Sequence, residues 1–148
     1  MANPTNVTGF GVACTIIASN TFPTGLSVTQ FADDADPITI NDVKIADTAM
    51  GLNGDLLSWN KAVPLPITIN VVPGGADDQN LQILADANRV GLGKNSAKDV
   101  ISITLVYPDL NTVVLSGGVI TDGAFGRGIQ SSGRQKTKTY SFMMSSKA

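Results

Sequence analysis

Every acidic residue in this chain is Asp; there are twelve acids and none is Glu. Glu is a good helix former, whereas Asp competes for nearby backbone hydrogen bonds and prefers caps and turns. Together with 15 Gly and abundant Thr, Val and Ile, this directs the chain towards strands joined by tight turns. At 148 residues it has the length of one domain, enough to bury roughly 70% of its unfolded-chain surface. A single domain over 1–148 is expected, with no internal repeat or linker dividing it.

Charged residues make up only 15% of the chain, against a typical share of about 25%. A bland exterior suits proteins that bury surface against copies of themselves. The net charge of −2 excludes a strongly basic nucleic-acid binder. Its distribution is uneven, because Asp122 is the last acid while Arg127, Arg134, Lys136, Lys138 and Lys147 follow it. Histidine is absent, which removes the commonest general base, the Ser/His and Cys/His nucleophile pairs and most zinc sites. An enzyme is not expected, nor a cofactor or metal. Cys14 stands alone, so no intrachain disulfide can form; its alternation with Val12 and Ile16 predicts a buried thiol. No signal-peptide pattern and no run of about 18 apolar residues occurs, so the expectation is folding in a cytoplasm with no membrane partner.

Alternation places a first strand over Phe10, Val12, Cys14 and Ile16. A turn ending at Thr24-Gly25 leads to a second strand, Leu26–Phe31. After the acidic turn Asp33-Asp34-Ala35-Asp36-Pro37, the pattern continues through Ile38 and Ile40 towards Val43 and Ile45. Asn53-Gly54-Asp55 is a strong tight-turn signal, at the tip of a hairpin or loop over about 46–62. Leu65–Val72 is strongly β-branched, and Pro64 and Pro66 suit a strand start or an edge. One helix is expected over about Asp77–Val90, with Asp77 and Asp78 favoured by the helix dipole. Its apolar stripe is Ile83, Leu84, Ala87 and Val90. Asp99–Tyr107 is a clear strand, Thr112–Leu115 and Val119-Ile120 read as two short ones, and Arg134–Met143 closes the chain. The sum is a mainly β fold, a β-sandwich or partly closed barrel of about eight to ten strands with one packed helix.

Among candidate sites, Asp33, Asp34 and Asp36 offer oxygens to a hard cation, but the glycine turn and distal Glu of a calcium loop are missing. A solvated turn is the expected state. Gly126-Arg127-Gly128 is a fragment of a phosphate loop without its Lys and following helix. Asn6-Val7-Thr8 matches a glycosylation acceptor, without a secretion signal to use it. The alternating Arg134, Lys136 and Lys138 are open to two readings: a solvated face that discourages edge aggregation, or a stripe facing another subunit or DNA. Met50, Leu52, Leu56, Leu57 and Trp59 lack an obvious local core. Left in water they cost roughly 25 cal/mol per Å², so they point to a partner surface.

The order of these segments resembles the tail tube proteins of contractile-tailed phages. The resemblance is carried by the turn from Phe31 to Ile38, the hairpin around Gly51–Trp59 and the passage from Pro66 through Leu84. The closing Gly133–Phe142 completes it, so it covers nearly the whole chain, although each motif alone is unspecific. It implies hexameric rings of β-sandwich subunits that stack into a hollow tube, with DNA passing through the lumen without specific binding. The implied partners are further copies of the chain, a sheath, the baseplate and a tape-measure protein, and the implied location is the tail of a virion. On that resemblance the hairpin with Met50, Leu52, Leu56, Leu57 and Trp59 is the ring-stacking element. Arg134, Lys136 and Lys138 are expected to face a neighbour or a sheath, because lysines lining a lumen would hold phosphates by counterion release. A secretion-system tube of the same general fold is the alternative. A monomeric ligand-binding β-sandwich is another, though a single Trp and 5% aromatics offer few platforms for a sugar.

Overall fold

The computed structural model describes residues 7–147, so Asn6 of the glycosylation pattern lies outside the described residues. The elements in chain order are β1 (Ala13–Ala18), β2 (Phe22–Val28), β3 (Ile38–Ile40), β4 (Ala46–Met50), β5 (Leu56–Asn60) and β6 (Leu65–Val71). The helix α1 (Ala76–Asn88) comes next, then β7 (Ile101–Val106), β8 (Thr112–Asp122), β9 (Lys138–Met144) and β10 (Ser146–Lys147). Eight of the strands form one antiparallel sheet in the order β2-β1-β7-β8-β9-β6-β3, with β10 alongside β8. The remaining two, β4 and β5, pair only with each other.

The pivot is β8. Its first part pairs with β7, from Val106↔Thr112 to Ile101↔Gly118, and its second part pairs with β9, from Val119↔Met143 onward. The two partners meet at Gly117-Gly118. Gly117 sits at φ +67, where an L side chain is strained. A Cβ at Gly118 would come within 2.2 Å of Met144 Sδ and 3.0 Å of the Met143 carbonyl oxygen. The sequence reading divided this segment into two short strands at the glycines. The glycines instead let one long strand change partners without ending.

That change of partner makes the fold sandwich-like, and the sheet does not close into a barrel among the described residues. Inward residues of one half (Cys14, Ile16, Val28, Ile101, Ile103, Leu105) and of the other (Ile67, Ile69, Val71, Tyr140, Phe142, Met144) belong to one buried cluster, which Leu81 and Leu84 of α1 join. Strict alternation on β1, β6, β7 and β9 is what delivers this, since every second side chain reaches the core.

Other differences from the sequence reading have local causes. Phe10 is 91% exposed and β1 begins only at Ala13. Gly25, at φ +89, falls inside β2 at an irregular register and not in the preceding turn. Val43 and Ile45 lie outside β3, on the lead into β4. Pro66 stands at the start of β6, beyond the reach of β3, which pairs only with Ile67–Ile69. The helix ends at Asn88, and its buried residues are Asp77, Asp78, Leu81 and Leu84, whereas Ile83 and Val90 are 54% and 67% exposed.

Candidate assembly surfaces

The β4–β5 hairpin is built by direct pairing from Ala46↔Asn60 to Met50↔Leu56, around a turn with Gly54 at φ +91. Residues opposite one another in an antiparallel pair point to the same side, and successive pairs alternate. One face therefore carries Met50 with Leu56, and the other carries Leu57 with Ala49 and Trp59 with Asp47. All of β5 is exposed. Met50 is 67% exposed and Leu52, at the tip, is fully so. An isolated two-stranded hairpin is marginal in water at best. At its base Asp47 holds it with ion pairs to Lys44, at 2.5 Å, and to Lys61. Those contacts, Lys44 first, pull the Asp47 carboxyl below its usual value. The apolar surface is thus presented on both faces of a projecting arm.

The acidic turn and the basic segment, far apart in the chain, are brought together. Arg134 donates to both carboxylate oxygens of Asp33, at 2.5 and 3.0 Å, and Thr137 donates to Asp34. The Arg134 hydrogen bond is the main cause that lowers the Asp33 pKa. Lys136 is exposed, and its backbone N–H donates to the Gly128 carbonyl at 2.8 Å. Arg134 and Lys136 precede β9 and do not lie in it. Lys138 departs from the expected outward stripe. It is only 4% exposed, with its ammonium 3.3 Å from Asp78 and 2.6 Å from Gln82 Oε1. The physical reason is alternation: Lys138 shares its face of β9 with Tyr140 and Phe142, which fill the core.

Around α1 lie three buried carboxylates that sequence reasoning missed in this role. Asp77 Oδ2 accepts the backbone N–H groups of Thr29 and Gln30, both at 2.7 Å. Asp78 accepts the Gly74 N–H at 2.8 Å and the Tyr140 hydroxyl at 2.9 Å, besides pairing with Lys138. Burial and the neighbouring Asp78 carboxylate push the Tyr140 pKa upward. Asp99 accepts from the backbone of Asn20 and Thr21, from the Thr21 hydroxyl and from Asn88 Nδ2, at 2.5 to 3.0 Å. Burial opposes its ionisation, yet the bonds from Thr21, Asn88 and the Asn20 backbone prevail and its pKa is lowered. The signal for these roles was faint: an acid beside a helix start reads first as a dipole partner.

The Cys14 thiol is 1% exposed, as its alternation predicted. Burial, and secondarily the Asp77 charge, push its pKa up to about 12. Arg127 lies against Gly74 and reaches Gln135 Oε1 at 3.5 Å, with no helix following it. An open groove runs between α1 and the end of β8, lined in part by Ala85, Arg89, Asp122 and Phe125. Among the described residues no group of three or more Cys or Asp is placed to hold a metal ion. No helix among them is long and apolar enough to cross a membrane.

Residues 5–148 match the family described as tail fiber protein gp32. The chain belongs to this family of phage tail proteins. A search of curated protein sequences found no match. Among solved structures, the sheath/tube terminator of the PVC extracellular contractile injection system, in its extended state, aligns with 99% of this chain and 98% of its own. The TM-score is 0.61 at 13% identity. The tube terminating cap of the anti-feeding prophage aligns with 100% of this chain and 93% of its own, with a TM-score of 0.58 at 12% identity. At these identities the likeness speaks for the fold. The family agrees with the tail association implied by the resemblance, while its description is of a fiber protein and the two structures are a terminator and a cap.

Proposed function

We propose that this member of the gp32 family is a structural, non-catalytic subunit of the tail tube. In this reading its copies close into rings, six to a ring, and the rings stack into a hollow conduit for DNA during infection. The observation that carries the reading is the β4–β5 hairpin, which is apolar on both faces, set on an otherwise self-sufficient sandwich. An arm of this kind gains by lying between two protein surfaces, where a fully buried Leu, Met or Trp side chain contributes on the order of 1.5–3 kcal/mol. A heterologous contact of this sort forms closed rings or open stacks according to the rotation it imposes. The hairpin residues Met50, Leu52, Leu56, Leu57 and Trp59 make the stacking contact, and Arg134 with its acidic partners Asp33 and Asp34, together with the exposed Lys136, lies towards a neighbour or sheath. Sheath, baseplate and tape-measure proteins are the expected partners in the virion tail.

A second reading follows from the matched structures, whose names describe a tube terminator and a tube terminating cap. A terminator makes a ring that ends a stack and does not extend it. Negative-stain electron microscopy of the purified protein over a range of concentrations separates the two. Stacked rings or hollow tubes support the tube subunit, and single rings that never stack favour the terminator. Monomers at every concentration, unchanged by tail-tip components, overturn both.

A further inference from the structure

A second groove, of about 570 Å³, shares Phe125 with the one between α1 and the end of β8. Its walls are α1, from Asp78 to Asp86, and the chain from Phe125 to Arg127. Ile83 and Phe125 stand in it 54% and 94% exposed. Beneath them the buried Lys138 and Asp78 neutralise each other, and on the α1 wall Asp86 is engaged by Arg89 at 3.7 Å and by Gln82 at 3.3 Å. Arg127 is the exception. Its guanidinium lies against Gly74, where a Cβ would come within 3.3 Å of Nη1, and its one polar contact among the described residues is Gln135 at 3.5 Å. The groove therefore offers two exposed apolar side chains and, two residues beyond Phe125, a positioned cation without a carboxylate.

The β4–β5 arm carries the counterpart. Leu57 and Trp59 share one of its faces, 55% and 51% exposed. The ladder runs one pair further, because the Gly51 N–H donates to the Asp55 carbonyl at 2.7 Å, and a Cβ at Gly51 would lie 3.8 Å from that of Asp55. Asp55 thus continues the face of Leu57 and Trp59, since side chains two apart in a strand share a side. It is exposed, and it enters none of the ion pairs among the described residues. Along the arm the order is apolar, apolar, anion, at two-residue steps of roughly 6.7 Å. Along the groove it is apolar, apolar, cation, and the last step is again of two residues.

We infer that the groove of Ile83, Phe125 and Arg127 receives the β4–β5 arm of the next copy, with Trp59 and Leu57 on the apolar residues and Asp55 on Arg127. Neither half is answered within one subunit, and a second copy supplies both. Opposite charges at one end of an apolar contact fix its register and direction. Arm into groove is a heterologous contact, so each stack keeps a free arm at one end and a free groove at the other. The inference rests on the tube reading and adds to it the surface that the arm meets.

The test is charge exchange in the full chain, read by negative-stain electron microscopy where the unsubstituted chain stacks. Arg127→Asp and Asp55→Arg are each expected to lose stacking at an unchanged urea midpoint, since both side chains are exposed. The double variant is expected to stack again, because every groove then meets a complementary arm. Single variants that stack normally, or a double variant that does not recover, overturn the inference. If either charge variant lowers the midpoint, a cysteine pair decides. Leu57→Cys with Phe125→Cys, exposed to a mild oxidant in stacks, is expected to give a ladder of disulfide-linked chains, while the buried Cys14 stays silent. Normal stacks without a ladder overturn the inference. Single charge variants that stack but no longer bind tail-tip components would assign the groove to another tail protein and also overturn it. Failure of the unsubstituted chain to stack under any condition removes the tube reading, and this inference with it. Normal stacking by Arg127→Asp leaves that reading standing and removes this inference alone.

Discussion

The region around α1 and β9 and the β4–β5 hairpin solve opposite problems. In the first, polar groups are buried and every one is answered: no buried side-chain nitrogen or oxygen among the described residues lacks a hydrogen-bond partner. In the second, apolar groups are left half or more exposed by the described residues. A satisfied buried network fixes one arrangement of its elements, because any shift strands a charge in a medium of low dielectric. An unanswered apolar arm fixes nothing by itself and becomes ordered by what it meets. In the proposed assembly the first region makes the subunit, and the second joins it to its neighbours.

If that contrast holds, substitutions in the two regions separate stability from assembly. The largest loss of stability is expected for Lys138→Ala, which leaves Asp78 buried without its cation. Removing one partner of a buried pair costs about 3–5 kcal/mol, read as a lowered urea midpoint at constant slope. A double variant, Asp78→Asn with Lys138→Met, is expected to recover part of it, and no recovery would mean that packing outweighs charge here. Next comes Asp99→Asn, which weakens the hydrogen bonds joining the β1–β2 turn to α1. Bonds to a charged group contribute about 1.5–3 kcal/mol.

The same residue carries a pH signature. Because the Asp99 pKa is lowered in the folded chain, its ionised form stabilises the fold at neutral pH. That contribution is fully present above the unfolded value of about 3.9. It is lost as pH falls from there through the folded value. Unfolding midpoints taken from neutral pH down to about pH 2 should therefore fall less steeply on the acid side in Asp99→Asn. An unchanged acid slope would remove Asp99 from the account.

Gly118→Ala tests the pivot. Its methyl must displace the packed end of Met144 and approach the Met143 carbonyl. Overpacking of this kind costs about 1–3 kcal/mol. The smallest effect on stability, within about 0.5 kcal/mol, is expected for Leu57→Ser with Trp59→Ser on the hairpin. The same pair should abolish stacking in the microscope. A hairpin variant that unfolds the subunit would erase the contrast, and one that stacks normally would move the assembly surface elsewhere.

The sequence was most legible where a single period governs the side chains. Cys14, Ile16, Ile101, Ile103, Leu105, Tyr140 and Phe142 are buried as their alternation requires. The hairpin was legible from Asn53-Gly54-Asp55 and from apolar residues with no local use. Where two periods or two roles compete, the reading failed. Lys138 looks like one of a row of exposed cations until β9 is seen to start there and point it inward. Ile83 and Val90 fit a helical stripe as well as Leu81 does, and it is the core packing of Leu81 and Leu84 together with the anchoring of Asp77 and Asp78 that sets the rotation of α1.

The sequence by itself determined the class of the fold, the position of the helix, the buried thiol and the hairpin with its exposed apolar side chains. These follow from local propensity and from periodicities of two and 3.6, which act over neighbouring residues. Tertiary structure alone decided that β8 passes unbroken from one half of the sheet to the other. It alone joined Asp33 to Arg134 and Asp78 to Lys138. Each of these depends on register between segments far apart in the chain, and a shift of one residue would turn every side chain of a strand to the opposite face.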